Sequence, residues 1–151
     1  MKYRLTNETI KFGKVILHRI ECVKAFADVK VGDKGGWIEK ESNLSQTDNA
    51  WVYGDAEVYG DAEVHGNAEV HGNAWVCGNA KISQNSDYIV FKNSFSSGRY
   101  FTWTRSDNMW TVGCFHGTGE QLIEKARQDN EDKARRYALY VKLVEDLQKV
   151  E

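Results

Sequence analysis

The sequence predicts a mainly β protein: a short parallel β solenoid of triangular section, preceded by an N-terminal β cap and followed by an antiparallel sheet with an amphipathic helix. Three observations predict it. A near-perfect six-residue repeat starts at Asn49; proline is absent while 13 glycines are available for turns; and aromatic density rises where the repeat stops. The expected division is residues 1–36 for the cap, 37–86 for the solenoid and 87–151 for the C-terminal module.

From Asn49 the chain reads NAWVYG, DAEVYG, DAEVHG, NAEVHG, NAWVCG, NAKISQ. Each unit has the form [Asn/Asp]-Ala-x-[Val/Ile]-x-Gly, with only the alanine and the aliphatic residue apolar throughout. A helix of period 3.6 cannot keep one apolar face on a strict six-residue repeat, and a flat alternating strand would not break at Gly-Asn every sixth residue. The repeat is satisfied when each hexapeptide forms one side of a triangular prism and about 18 residues complete a circuit. Val52, Val58, Val64, Val70, Val76 and Ile82 then point inward. Ala50, Ala56, Ala62, Ala68, Ala74 and Ala80 sit near corners, and the Gly-Asn or Gly-Asp pairs supply the turn residues.

The pattern extends upstream, since Ile38 and Leu44 lie six apart and Leu44 to Val52 is six plus a two-residue insertion at Thr47-Asp48. About three circuits result. In this register Asn49 lies over Asn67 and Asn85, Asp55 over Asn73 and Asp61 over Asn79, so no carboxylate falls directly on another.

These spacings resemble the hexapeptide-repeat family of left-handed parallel β-helix proteins, which includes acyltransferases and zinc-dependent γ-class carbonic anhydrases. The resemblance implies a left-handed β-helix. A narrower resemblance covers residues 2 to about 53, through KYRLTNETI and HRIECVKAFADVKVGDKGGWIEKESNLSQTDNAWVYGDA, and is to YdcK-like proteins, described as transferases without an established reaction. Such a label carries fold more than function.

In the cap, Arg4-Leu5, Val15 to Ile20 and Val29 to Val31 read as short strands around polar turns, with residues 32–36 leading into the first circuit. A cap is needed because a solenoid end exposes backbone donors and acceptors. Beyond Asn85, Tyr88 to Phe91, Arg99 to Arg105 and Met109 to Phe115 predict three antiparallel strands, with Phe101 and Trp103 on a buried side and Tyr100, Thr102 and Thr104 opposite. Thr118 and Gln121 form a capping box that opens a helix. After Gln128-Asp129-Asn130, residues Ala134, Tyr137, Ala138, Val141 and Val144, and separately Tyr140, Leu143, Leu147 and Val150, make a broad apolar stripe. The stretch from Asp87 to about Lys142 resembles a small three-strand-plus-helix module at the end of phage- and prophage-encoded hexapeptide-repeat proteins, which implies such an origin here.

Composition narrows the function classes. With 41% apolar and 28% charged residues and a net charge of −2, the chain reads as a soluble globular protein without the basic surplus of a nucleic-acid binder. No long apolar run predicts a membrane span or a signal segment, so a cytoplasmic location is expected, in the host cell if the chain is phage-encoded. Three scattered cysteines, Cys22, Cys77 and Cys114, fit a reducing compartment rather than a disulfide framework.

The hexapeptide acyltransferases imply a histidine base in an inter-subunit cleft, and His65 and His71 are the candidates if the chain is an enzyme. Each faces outward, beside Glu63 and Glu69 respectively, which would raise its pKa. The alternative is that both fill an outward position also held by Tyr53, Tyr59, Cys77 and Ser83. A γ-class carbonic anhydrase implies three histidines with two close together, which a six-residue gap does not match, so no metal is expected. The longer helix and extended loop that build an acyl-donor site are not evident, and no cofactor is expected. Cys77 and Cys114 have no neighbouring histidine in sequence, and the basic run at Lys133, Arg135 and Arg136 follows Glu131 and Asp132, as on a solvated helix face.

Aromatics recur on the sides: Trp37, Tyr59 and Trp75 on one, and Trp51, Tyr53 and His71 on another, near Glu69. If exposed, they predict covering by the C-terminal helix or by a second subunit in a homodimer or homotrimer. The expected function is therefore that of a non-catalytic oligomeric binding protein. A phage inhibitor of a host defence protein, or a sponge for a nucleotide signal, fits the phage resemblance; an acyltransferase-like enzyme and a purely structural assembly unit are the alternatives.

Overall fold

The computed structural model describes residues 1–95 and 98–150. It is mainly β, with two helices and several sheets, none closed. The N-terminal strands β1 (Tyr3–Phe12) and β2 (Val15–Cys22) form an antiparallel hairpin, and β2 pairs antiparallel with β3 (Lys34–Ile38). Six two-residue strands follow, one per hexapeptide: β4 (Trp51–Val52), β5 (Glu57–Val58), β6 (Glu63–Val64), β7 (Glu69–Val70), β8 (Trp75–Val76) and β9 (Lys81–Ile82).

These strands visit three ladders in rotation. Trp51 pairs with Glu69, Glu57 with Trp75 and Glu63 with Lys81, always in parallel and always after 18 residues. Trp37 pairs with Glu57 and Leu44 with Val64, two residues further apart, as the insertion at Thr47-Asp48 requires. The repeated valines, Ile82 and all six alanines are 0–1% exposed and form one core with Ile38 and Leu44. Burying each valine contributes roughly 1.5–3 kcal/mol relative to leaving it in water. The corners place the left-handed backbone on glycine alone: Gly54, Gly60, Gly66, Gly72 and Gly78 have φ of 65–69°, whereas the Asn or Asp that follows stays in ordinary space.

Residues 34–38 are strand rather than lead-in turn, and Gly35-Gly36 lies inside it. The reason is close approach. A Cβ on Gly36 would sit 2.7 Å from the Ala56 carbonyl oxygen and 2.9 Å from Val52 Cγ1. Gly36→Val is expected to destabilise the fold by roughly 3 kcal/mol or more, read as a lowered denaturant midpoint. Val29 to Val31 holds only an isolated bridge between Phe26 and Val29.

Both ends of the ladders are closed by side chains. At the N-terminal end, Lys2 Nζ donates to the carbonyls of Ala50 (2.6 Å) and Asp48 (3.0 Å), and Tyr3 Oη donates to that of Leu44 (2.6 Å). Burial lowers the Lys2 pKa, although Asp48 beside it opposes the shift. At the other end, the N–H groups of Glu69, Trp75, Lys81 and Ser83 would meet a further circuit. They donate instead to Asn85 Oδ1, Thr102 Oγ1, Ser106 Oγ and Asp87 Oδ2, at 2.8–2.9 Å. The last donors of the ladders are thus paired rather than left open.

The C-terminal sheet has four strands rather than three: β10 (Tyr88–Lys92), β11 (Tyr100–Thr104), β12 (Met109–Val112) and β13 (Phe115–Gly117), all antiparallel neighbours in order. Gly113 at φ 55° lets the third expected strand fold back on itself. Phe101 and Trp103 are buried as expected, but so are Thr102 and Thr104, because the other face lies against the last circuit. Two helices cover the first face: α1 (Gly119–Asp129), opened by the reciprocal Thr118/Gln121 cap, and α2 (Glu131–Gln148), capped by Asn130. Leu122, Ala126, Ala134, Tyr137, Val141 and Val144 pack on Phe101, Trp103 and Trp110. No helix among the described residues is long and apolar enough to cross a membrane.

Candidate functional site

The repeat places aromatic side chains on the sides expected of them, but the chain itself covers several. Trp37 and Tyr59 are 8% and 9% exposed, packed with Leu17 and with Phe12 and Val15 of the N-terminal hairpin. Trp51 is 5% exposed, with Phe26 and Tyr3 edge-on to it at ring-centre distances of 5.3 and 6.3 Å. Neither a helix nor a second subunit is needed there. The hairpin and the segment after it do this: Phe12, Val15 and Leu17 lie on Trp37 and Tyr59, and Tyr3 and Phe26 on Trp51.

His65 and His71 are exposed and stand on different ladders, so they do not act as a pair. Glu63 has a closer partner than His65. Its carboxylate pairs with Lys81, which together with His65 holds its pKa low. His71 stacks flat on Tyr53, with ring centres 4.9 Å apart and planes 7° from parallel. Burial, with Glu69 and Asp28 nearby, raises the Tyr53 phenol pKa. Glu69 is exposed, and its backbone carbonyl accepts a 2.7 Å hydrogen bond from Tyr88 Oη.

Trp75, like Tyr53, is half-exposed, and a cleft opens beside it. Three segments far apart in sequence build its walls: Phe12 at the hairpin turn, Asn73 and Trp75 from the NAWVCG unit, and Arg99, Tyr100, Gly113 and Cys114 from the C-terminal sheet. The cavity measures about 480 Å³. Phe12 is edge-on to Trp75 at 5.2 Å and leans on Tyr59 at 5.9 Å, so the hairpin tip is fixed. The bond from the Trp75 N–H to Thr102 Oγ1 fixes the sheet on the other side. Arg99 lies so close over Gly113 that a Cβ there would come within 3.0 Å of its Nη1. The arrangement offers ring surfaces, a guanidinium and an amide around one small space.

Glu57 lies on the same ladder, between Trp37 and Trp75. Burial among these rings, helped by Asp55, pushes its pKa up to about 7.

The fold also brings together a cluster that sequence reading missed. His116 Nδ1 lies 3.0 Å from Thr111 Oγ1 and 3.4 Å from Cys77 Sγ. No local signal reveals it, because 39 residues separate Cys77 from His116. Cys77 is only 6% exposed and burial raises its pKa, so the thiol stays protonated and out of reach. Cys114 is exposed at the rim of the cleft. Among the described residues, no group of three His, Cys, Asp or Glu side chains is placed to hold a metal ion.

No family model matches the chain. It is 38% identical over 60 residues to a protein of Escherichia coli (strain K12) described as the uncharacterized acetyltransferase YdcK. The match fits the N-terminal half, spanning 34% of this chain and 18% of that protein's length.

Proposed function

We propose that this chain is a non-catalytic binding protein, built on a left-handed parallel β-helix, whose cleft at Trp75 takes a small planar ligand bearing an anionic group. The β-helix reading is supported by the hexapeptide repeat, the three parallel ladders and the partial likeness to YdcK. One observation carries the function: the cleft gathers Phe12, Trp75 and Tyr100 around Arg99 without a histidine in its walls. A ring stacks on the aromatic surfaces while the guanidinium receives the anion, which is the chemistry of a nucleotide. As a phage product acting on host defence, a protein of this kind would sequester a nucleotide signal.

Calorimetric titration with AMP is the test. The expected result is saturable binding with a Kd of roughly 1–50 µM, weakened about tenfold for adenosine, which lacks the phosphate, and about tenfold by Trp75→Ala. No heat with millimolar AMP, together with no ligand retained in native mass spectrometry of protein from expressing cells, would overturn this reading.

A second reading is favoured by the description of the E. coli relative as an acetyltransferase. On it, His65 or His71 accepts a proton from an acceptor hydroxyl or amine beside a bound acyl donor. Acetyl-CoA would then raise the melting temperature, and His65→Ala or His71→Ala would abolish transfer. Variants that behave like the parent would end it.

A further inference from the structure

We infer that the outward face of α2 is a seam through which two copies of this chain associate, with the two helices antiparallel. The helix has two apolar faces. Ala134, Tyr137, Val141 and Val144 are buried on the sheet, whereas Leu139, Leu143, Leu147 and Val150 are 68, 46, 47 and 76% exposed. Leu139, Leu143 and Leu147 are spaced by four, so they form one stripe on the side away from the core, and Val150 follows just past the helix end. Among the described residues, no other strand or helix carries more than one exposed large apolar side chain. The stripe presents on the order of 400 Å² of apolar surface, the size of the largest patch on an ordinary monomer, which is often functional.

The charges along one edge of the stripe select the occupant and its direction. Lys142 and Asp146 pair within the helix at 2.9 Å. When two copies cross antiparallel about a two-fold axis near Leu143, Leu139 of each faces Leu147 of the other, and Lys142 of each lies beside Asp146 of the other. The four charges then alternate in sign. A parallel two-fold pair would put the two Lys142–Asp146 edges on opposite flanks of the seam, where neither meets its counterpart. Exposed pairs of this kind add little affinity but do fix orientation. A second copy satisfies the pattern reciprocally, as a two-fold contact requires. The seam buries roughly 800 Å² in total, below the standard interface, so association is weak, with a Kd of roughly 10–100 µM.

Sedimentation velocity across roughly 5–500 µM protein is expected to show a monomer–dimer equilibrium in that range. Leu143→Glu with Leu147→Glu changes only exposed positions; it should hold the chain monomeric at every concentration with an unchanged melting temperature. Direction is read by oxidative cross-linking on a Cys114→Ser background. Leu139→Cys mixed with Leu147→Cys should form a disulfide-linked dimer, whereas neither alone should. A wild-type chain that stays monomeric, a dimer unaffected by the double glutamate variant, or cross-linking of Leu139→Cys with itself would each overturn the proposal.

Discussion

Asn43→Asp, a change of one nitrogen for one oxygen, is expected to cost roughly 3–5 kcal/mol of stability. Asn43 is fully buried and spends both ends of its amide. Its Oδ1 accepts from the N–H groups of Glu39 and Lys40, at 3.1 and 2.9 Å, and its Nδ2 donates to the carbonyls of Gly60 and Ala62, at 3.1 and 2.9 Å. A carboxylate keeps the first pair and turns an unprotonated oxygen on two carbonyls. The reciprocal change is the control. Asp87 holds the matching place after the last circuit, accepting from the N–H groups of Ser83 and Gln84, at 2.9 and 3.2 Å, and from the Ser83 hydroxyl at 3.1 Å. With no further circuit of carbonyls above it, it needs only to accept, and Asp87→Asn should cost about 1 kcal/mol. Denaturant unfolding at pH 7 measures both. Part of the Asn43→Asp loss should be recovered below about pH 4, where the acid regains a donor proton.

Glu57→Gln is expected to stabilise the protein at pH 8 by on the order of 1–2 kcal/mol, after allowance for solvent screening at a half-buried group, and to leave it unchanged near pH 4. In the folded chain the Glu57 carboxyl keeps its proton up to about pH 7, whereas the unfolded chain releases it near the ordinary value of 4.5. The folded state therefore binds more protons between those values. Its stability falls as pH rises from about 4.5 to about 7 and stays lower above that. Glutamine imitates the protonated acid and removes the slope. Thermal unfolding of both proteins from pH 4 to pH 8 measures it; parallel curves would show that the ring-lined position does not hold a proton.

The middle of the chain was legible because a six-residue period leaves few geometries open. The inward valines, the corner alanines and the two-residue insertion are all where the pattern puts them. The closures were not legible. Lys2, Asn43 and Asp87 carry no pattern of their own in the sequence, and only the backbone groups they meet, 3 to 48 residues away, give them their roles. The covering hairpin escaped for a related reason. Tyr3–Phe12 is apolar only at a few positions, with a register shift between Leu5 and Thr9 that breaks the alternation. The cleft was least legible, since Phe12, Trp75 and Tyr100 have no local relation. Trp75 was singled out as an exposed aromatic, but neither of its neighbours was.

The hairpin tip sets a length for the whole array. The base of the hairpin, where β1 starts and β2 ends, lies beside β3, whereas Phe12 at its tip meets Trp75, in the last strand of that ladder, at 5.2 Å. A rigid two-stranded arm anchored at one end measures out the number of circuits beside it. Duplicating residues 55–72 would preserve every pairing rule of the repeat and both end closures. It would also carry Trp75, Tyr100 and Arg99 one strand spacing, about 4.8 Å, beyond the arm's reach. The repeat count, which the folding of a solenoid leaves free, is held by the arm that must touch the cleft.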